Sequence, residues 1–277
     1  MIFVSNASHS ENSTVSWRSS QVNISSSNDA EVPACGKHLA LISGFTGAVT
    51  IWDPATETVV SSSLFGLPND AAPYQGGLVI TESATGDVVH ATGKDLADRK
   101  ILAKGQMNRA GVAVTHDDVY VSEAGTVNVL QVVADGNVLD PSAVIATGLT
   151  IPEGLALYRA NTRLLIAEGG TNTLEEAYLK SGSRRTIATD LGFSTPIPFV
   201  APTGWFNNVD VDHRGHIFVN GYQTNVIWKI KRGHGHRVAK RVHSKKGHYA
   251  HPNHKHSTSN YDARRHRNSW YLTFAVA

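Results

Sequence analysis

Cysteine is nearly absent from these 277 residues: Cys35 stands alone, so no internal disulfide framework exists and no Cys-x-x-Cys pair is available for a metal or redox site. It reads as a small buried hydrophobe. Charge is scarce too, at 17% Asp, Glu, Lys and Arg. Windows with Ala, Leu, Glu and Lys at a 3.6-residue period are few, which argues against a helical fold. No apolar run approaches the roughly 18 residues of a membrane span, so no membrane partner is expected. The opening "MIFVSNASHS" lacks the basic start and long apolar stretch of a signal peptide. Asn6, Asn12 and Asn23 each begin an Asn-x-Ser/Thr sequon, the one hint of a secreted origin. Acid is missing from the end of the chain. Residues 229–277 hold 12 of the 25 Lys and Arg and eight of the 14 histidines, with Asp262 as their only acid.

What is present is a repeat. Short apolar runs before a Gly/Thr-rich turn begin at Ile2, Leu39, Leu78, Val119, Leu164 and Ile217, spaced 37, 39, 41, 45 and 53 residues apart. A period near 40 with several short strands per unit is the signature of a β-propeller, each unit being one four-stranded blade. Each unit parses alike: an innermost strand ("DAA", "AGVAV", "EGLAL", "NNVDV"), the apolar second strand, a turn such as "ESATG" or "EGGT", then third and fourth strands. Six second strands predict an all-β, six-bladed propeller over residues 1–232; because Met1 already falls at the second strand of the first blade, either the C-terminal segment closes the ring or the propeller is incomplete at its N-terminus. Residues 233–277 read as a basic, His-rich, disordered tail with a closing strand near 269–277. Nucleic-acid binding by that tail would rest on charge alone, and its histidines show no regular zinc spacing.

In a propeller, the loops leading into the innermost strands share one rim around the central channel. The positions there are Asn28, Asn69, Ala110, Glu153 and Asn207, followed by Asp29, Asp70, Gly111, Gly154 and Asn208. One carboxylate with several amide oxygens is a ligand set that suits a hard divalent cation, Ca²⁺ first. The same Asn and Asp residues also suit Asx turns, in which the side chain bonds its own backbone. Glu82, Glu123 and Glu168 recur before the Gly/Thr turn, and each is expected to accept N–H bonds locally. "DLGFSTPIPFVAPTGWFNN", residues 190–208, suits an apolar pocket wall carrying Trp205 and Phe206. His116, His213 and His216 look catalytic in isolation, yet His116 and His213 fall in turns on the opposite face.

"IPEGLALYRANTRLLIAEGG" and "LPNDAAPYQGGLVITESATGDVV" carry a pattern that resembles the gluconolactonase and senescence-marker (regucalcin-like) family of six-bladed propellers, with NHL-repeat propellers as relatives. The likeness covers roughly residues 2–230. It implies a divalent cation on this rim, for which Glu153, Asn69 and Asn207 are the matching positions, although Asn207 falls where the family usually has Asp. It further implies hydrolysis of a lactone or small ester, with Asp70 as the available general base and Asn28, Asn208, Trp205 and Phe206 lining the substrate pocket. Two other readings stay open: an NHL-type scaffold that binds a protein or carbohydrate without catalysis, and a metal-free, strictosidine-synthase-like propeller that uses a pocket glutamate. Substrate identity and oligomeric state are not written in the sequence.

Overall fold

The computed structural model describes residues 18–22, 38–44, 46–53, 55–105, 109–193, 207–212, 214–221, 226–232 and 270–276. They form five antiparallel four-stranded sheets. The first holds β1 (Arg18–Val22), β2 (His38–Ser43), β3 (Ala48–Asp53) and β4 (Thr58–Leu64) in chain order. The second holds β5 (Pro68–Tyr74), β6 (Gly77–Glu82), β7 (Val88–Thr92) and β8 (Asp98–Ala103). The third runs β9 (Arg109–Val114), β10 (Val119–Glu123), β11 (Asn128–Ala134) and β12 (Asn137–Ala146), and the fourth β13 (Pro152–Tyr158), β14 (Arg163–Glu168), β15 (Thr173–Tyr178) and β16 (Arg184–Thr189). The fifth joins β17 (Val209–Val211), β18 (Ile217–Gly221) and β19 (Val226–Arg232) to the distant β20 (Trp270–Val276), which pairs along the whole of β19. Among the described residues no helix is long and apolar enough to cross a membrane.

Strand chemistry explains the stacking. Every residue of β6 and β10 is buried, as expected of strands covered on both faces. Successive side chains point to opposite faces, so Leu78 and Ile80 pack toward the first sheet with Ile42 and Val49. Val79 turns the other way, joining Val112, Val119 and Val121 of the third sheet. The same alternation puts Leu164 and Ile166 against the third sheet and Leu165 and Ala167 against the fifth. Four apolar layers thus cement five blades in chain order, and the innermost strands β1, β5, β9, β13 and β17 stand as successive neighbours. Trp228 adds a polar tie by donating its indole N–H to the Leu191 carbonyl at 2.6 Å.

This is a β-propeller, and five blades are described where the repeat predicts six. The run at Ile2 that supplies the sixth second strand lies outside the described residues. A second difference concerns the first blade. Its innermost strand is Arg18–Val22, paired with β2 from Arg18↔Ile42 to Val22↔His38. The strand entry expected for this blade, at Asn28 and Asp29, also lies outside the described residues. The Asn-Asp pairs at 28–29 and 69–70 share turn chemistry, and turn chemistry does not fix which segment pairs with the second strand.

Candidate functional site

A recurring irregularity shapes one rim. The innermost strands of the second, third and fourth sheets begin by pairing with a glutamate at the end of the second strand: Pro68↔Glu82, Arg109↔Glu123 and Pro152↔Glu168. In each sheet the register then slips, leaving an extra residue on the innermost strand. Such β-bulges re-aim side chains. Asn69, Ala110 and Glu153 occupy the slipped positions.

The glutamates hold the loops that frame this rim. Glu82 accepts the Gly66 N–H and the Thr85 hydroxyl, both at 2.7 Å. Glu168 accepts the N–H groups of Thr150 at 2.7 Å, Ile151 at 2.6 Å and Gly170 at 3.2 Å. Glu123 takes the Thr126 hydroxyl. Each carboxylate therefore binds the loop or turn around its own blade, as their recurrence suggests.

A second layer of bonds sews neighbouring blades together. The Thr81 hydroxyl donates to the Ala110 carbonyl at 2.9 Å and accepts the Asp70 N–H at 3.2 Å. In the same slot one blade on, Ser122 donates to the Glu153 carbonyl at 2.5 Å and accepts the Gly111 N–H at 2.6 Å. The fourth blade has Ala167 there, and the Gly154 N–H reaches the Asn207 carbonyl directly at 3.1 Å. Close approach explains the glycine: a Cβ on Gly154 would fall 2.3 Å from Asn208 Oδ1 and 2.6 Å from its Cα. Thr81 and Ser122 are functional positions of the seam that motif reading passed over, although a hydroxyl recurring in otherwise apolar strands was visible as a signal.

Asp70 belongs to this seam. It is 1% exposed, and its two oxygens accept the Ala71 N–H at 2.7 Å and the Val112 N–H of the next blade at 2.8 Å. Asn208 does the same within its blade, Oδ1 accepting the Val209 N–H at 2.9 Å while its own N–H goes to the Asn220 side chain at 2.5 Å.

Glu153 departs from this pattern. Only 3% exposed, it bonds the fully buried Asn207 of the adjacent blade, yet its Oε2 is buried without a hydrogen-bond partner. Burial pushes the Glu153 carboxyl well above the usual range, the Asn207 side-chain bond pulls it back, and the nearby Glu168 charge raises it further. The structure thus brings Glu153 and Asn207 together. Asn69, 8% exposed, stands at the equivalent level two blades away, on β5. Asn28, Trp205 and Phe206 lie outside the described residues, as does His213. His116 is exposed beside Asp117, and His216, just ahead of β18, bonds Asp212 at 2.7 Å.

A Ca²⁺ shell takes six to eight oxygens. The rim offers one carboxylate with an unpaired oxygen and one neighbouring amide, while Asp70 and Glu168 spend both of their oxygens on backbone N–H groups. Among the described residues no three His, Cys, Asp or Glu side chains gather as a metal site. These residues alone do not fit the ion.

Comparison with solved structures agrees with the fold. The chain is similar to the luciferin-regenerating enzyme, with a TM-score of 0.51 and 13% identity over 69% of this chain and 67% of that one. It also resembles a chain of a nidogen/laminin complex, with a TM-score of 0.48 and 14% identity over 69% of this chain and 88% of that one. For virginiamycin B lyase from Staphylococcus aureus the TM-score is 0.47 and the identity 12%, over 70% of this chain and 62% of that one. The likeness to the luciferin-regenerating enzyme, at 13% identity, speaks to fold alone and agrees with a β-propeller. The sequence matches no protein-family model and no curated protein.

Proposed function

We propose that this propeller is a hydrolase that opens a lactone or cleaves a small ester on the rim where Glu153 lies, with Glu153 as its catalytic acid. The observation that carries this reading is a nine-tenths buried carboxyl whose Oε2 has no partner, beside Asn207, on a rim where the other carboxylates are satisfied. A neutral carboxyl in a water-poor site can hydrogen-bond a carbonyl oxygen and stabilise the oxyanion formed as water adds to the acyl carbon. When the intermediate collapses, the C–O bond to the leaving oxygen breaks and the proton passes to that oxygen, returning a carboxylic acid and an alcohol. Asn207 would hold the acid in position.

Asp70 is the weaker part of the assignment. With both oxygens committed to backbone amides, we assign it to the seam between the second and third blades and leave the activation of water to solvent. Asn208 stays in the proposed pocket lining with Asn28, Trp205 and Phe206. The gluconolactonase-like, six-bladed form of this reading includes Ca²⁺ held by Glu153, Asn69 and Asn207, and most of its oxygens would have to come from substrate or solvent. No step is routed through it. A second reading, a non-catalytic NHL-type binding scaffold, is favoured by the way Asp70, Asn208 and Glu168 turn back onto backbone.

Turnover of a panel of γ- and δ-lactones and 4-nitrophenyl acetate tests these readings, using the wild type and Glu153→Gln after chelation and again with Ca²⁺ restored. The acid reading expects turnover under chelation and a loss of about 100-fold or more in Glu153→Gln. Turnover only with the cation supports the metal form. None under either condition leaves the scaffold.

A further inference from the structure

The turns that join first to second strands, and third to fourth, lie on the rim opposite Glu153, and there charge is sorted by blade. Between residues 110 and 158 the chain has no Lys or Arg. The exposed acids of this stretch include Asp117 in the β9–β10 turn and Asp135 in the β11–β12 turn. These two turns touch: the Gly136 N–H donates to the Asp117 carbonyl at 2.8 Å, and the Asp135 N–H to Asp118 Oδ1 at 3.2 Å. Their negative field reaches inward, since burial first, and then Asp118 and Asp135, push the Tyr120 hydroxyl up to about 12. The fourth blade reverses the sign. Its acids Glu168, Glu175 and Glu176 are all buried, whereas Lys180 is exposed and Arg159 half-buried. Arg159 lies in the β13–β14 turn and Lys180 in the β15–β16 turn, the counterparts of the turns that hold Asp117 and Asp135, and these also touch through the Leu179 N–H and the Thr162 carbonyl at 3.3 Å. Exposed Arg214 extends the basic side into the fifth blade, whose turn packs beside Tyr158: a Cβ on Gly215 would lie 3.9 Å from that ring.

We propose that this rim is a self-association surface on which two copies of the chain meet face to face. A two-fold axis along the seam between the third and fourth blades lays the Arg159 and Lys180 turns of each copy over the Asp117 and Asp135 turns of the other. A two-fold contact requires a patch that complements itself, and opposite charges at equivalent turns of adjacent blades supply one within a single chain. A purely anionic or purely cationic partner would meet like charge on half of the same surface. Exposed ion pairs are individually weak and screened by salt, so the contact orients the two copies and responds steeply to ionic strength. The Glu153 rim stays open in such a pair, and the inference does not depend on the reading of Glu153.

Sedimentation velocity of the full chain across a concentration series tests this, at about 20 mM and about 500 mM NaCl, where the screening length falls several-fold. The wild type should dimerise at low salt and dissociate at high salt. Asp135→Lys and Lys180→Asp should each weaken association at least about tenfold, because each sets like charges opposite one another, and the double variant should return to within about threefold of wild type. Asp135 has φ 48°, a left-handed conformation that Asn also adopts, so Asp135→Asn removes the charge while keeping the turn and should weaken association too. Circular dichroism melts check that each variant is folded. Rescue by the double variant separates this contact from capture of the acidic turns by the basic residues of 229–277, which Lys180→Asp would leave intact. A monomer at both salt concentrations, association unmoved by Lys180→Asp, or a double variant that stays monomeric would overturn the proposal.

Discussion

Replacing Ser122 by alanine removes one oxygen on which two buried backbone groups depend. Its hydroxyl donates to the Glu153 carbonyl at 2.5 Å and accepts the Gly111 N–H at 2.6 Å, and the residue is fully buried. Each group left without a partner costs about 1–3 kcal/mol, so complete loss would destabilise the fold by roughly 2–6 kcal/mol. The fourth blade shows how part of this is recovered. With Ala167 in the same slot, Gly154 N–H and Asn207 carbonyl bond each other directly at 3.1 Å. Gly111 already lies against Glu153, since a Cβ built on it would meet that carbonyl at 2.3 Å. Closure of this kind should hold the net cost of Ser122→Ala to about 1–3 kcal/mol. For a domain of this size that is a fall in Tm of about 4–8 °C for a cost near 2 kcal/mol. Ser122→Thr should stay within about 0.5 kcal/mol of wild type, because Thr81 fills the equivalent slot. Equilibrium urea unfolding and thermal melts followed by circular dichroism provide the comparison. A Ser122→Ala protein that melts with the wild type would refute the view that these hydroxyls sew the blades together.

Stability should depend on pH through Glu153. Its folded pKa is raised by burial above the ordinary glutamate value of 4.5, so native protein binds more protons between the two values and stability falls as pH rises through that window. Glu153→Gln should flatten this slope and gain on the wild type as pH increases, which denaturant midpoints across pH will reveal. Glu168→Gln puts an amide NH₂ against one of three backbone donors and should cost about 1–3 kcal/mol in the same assay. Asp70→Asn likewise faces Ala71 or Val112 N–H with a donor, and a loss of similar size, about 1–3 kcal/mol, is expected. Deleting Trp270–Val276 strips β20 from β19 and exposes its edge, so the shortened protein should melt lower or aggregate in light-scattering measurements.

Much of the architecture was legible because buried strands announce themselves. Leu78–Ile80 and Leu164–Ile166 alternate between two apolar layers. The repeat also placed Glu153 beside Asn207, since residues in one slot of adjacent blades must be neighbours. Side-chain direction was not legible. Asp70 and Asn208 share a slot with two glycines, and nothing in the chain told that both would bond the backbone next to them. The β-bulges that set Asn69 and Glu153 apart from the regular ladder leave no mark in composition.

The claim on which everything else depends is that Glu153 is a buried, unsatisfied acid, distinct from the carboxylates that bind backbone around it. Titrating the side-chain carboxyl carbons by ¹³C nuclear magnetic resonance, with Glu153→Gln to assign the signal, tests it directly. The account predicts that Glu153 stays protonated after the exposed carboxyls have ionised. A Glu153 signal that titrates with the exposed carboxylates would contradict it.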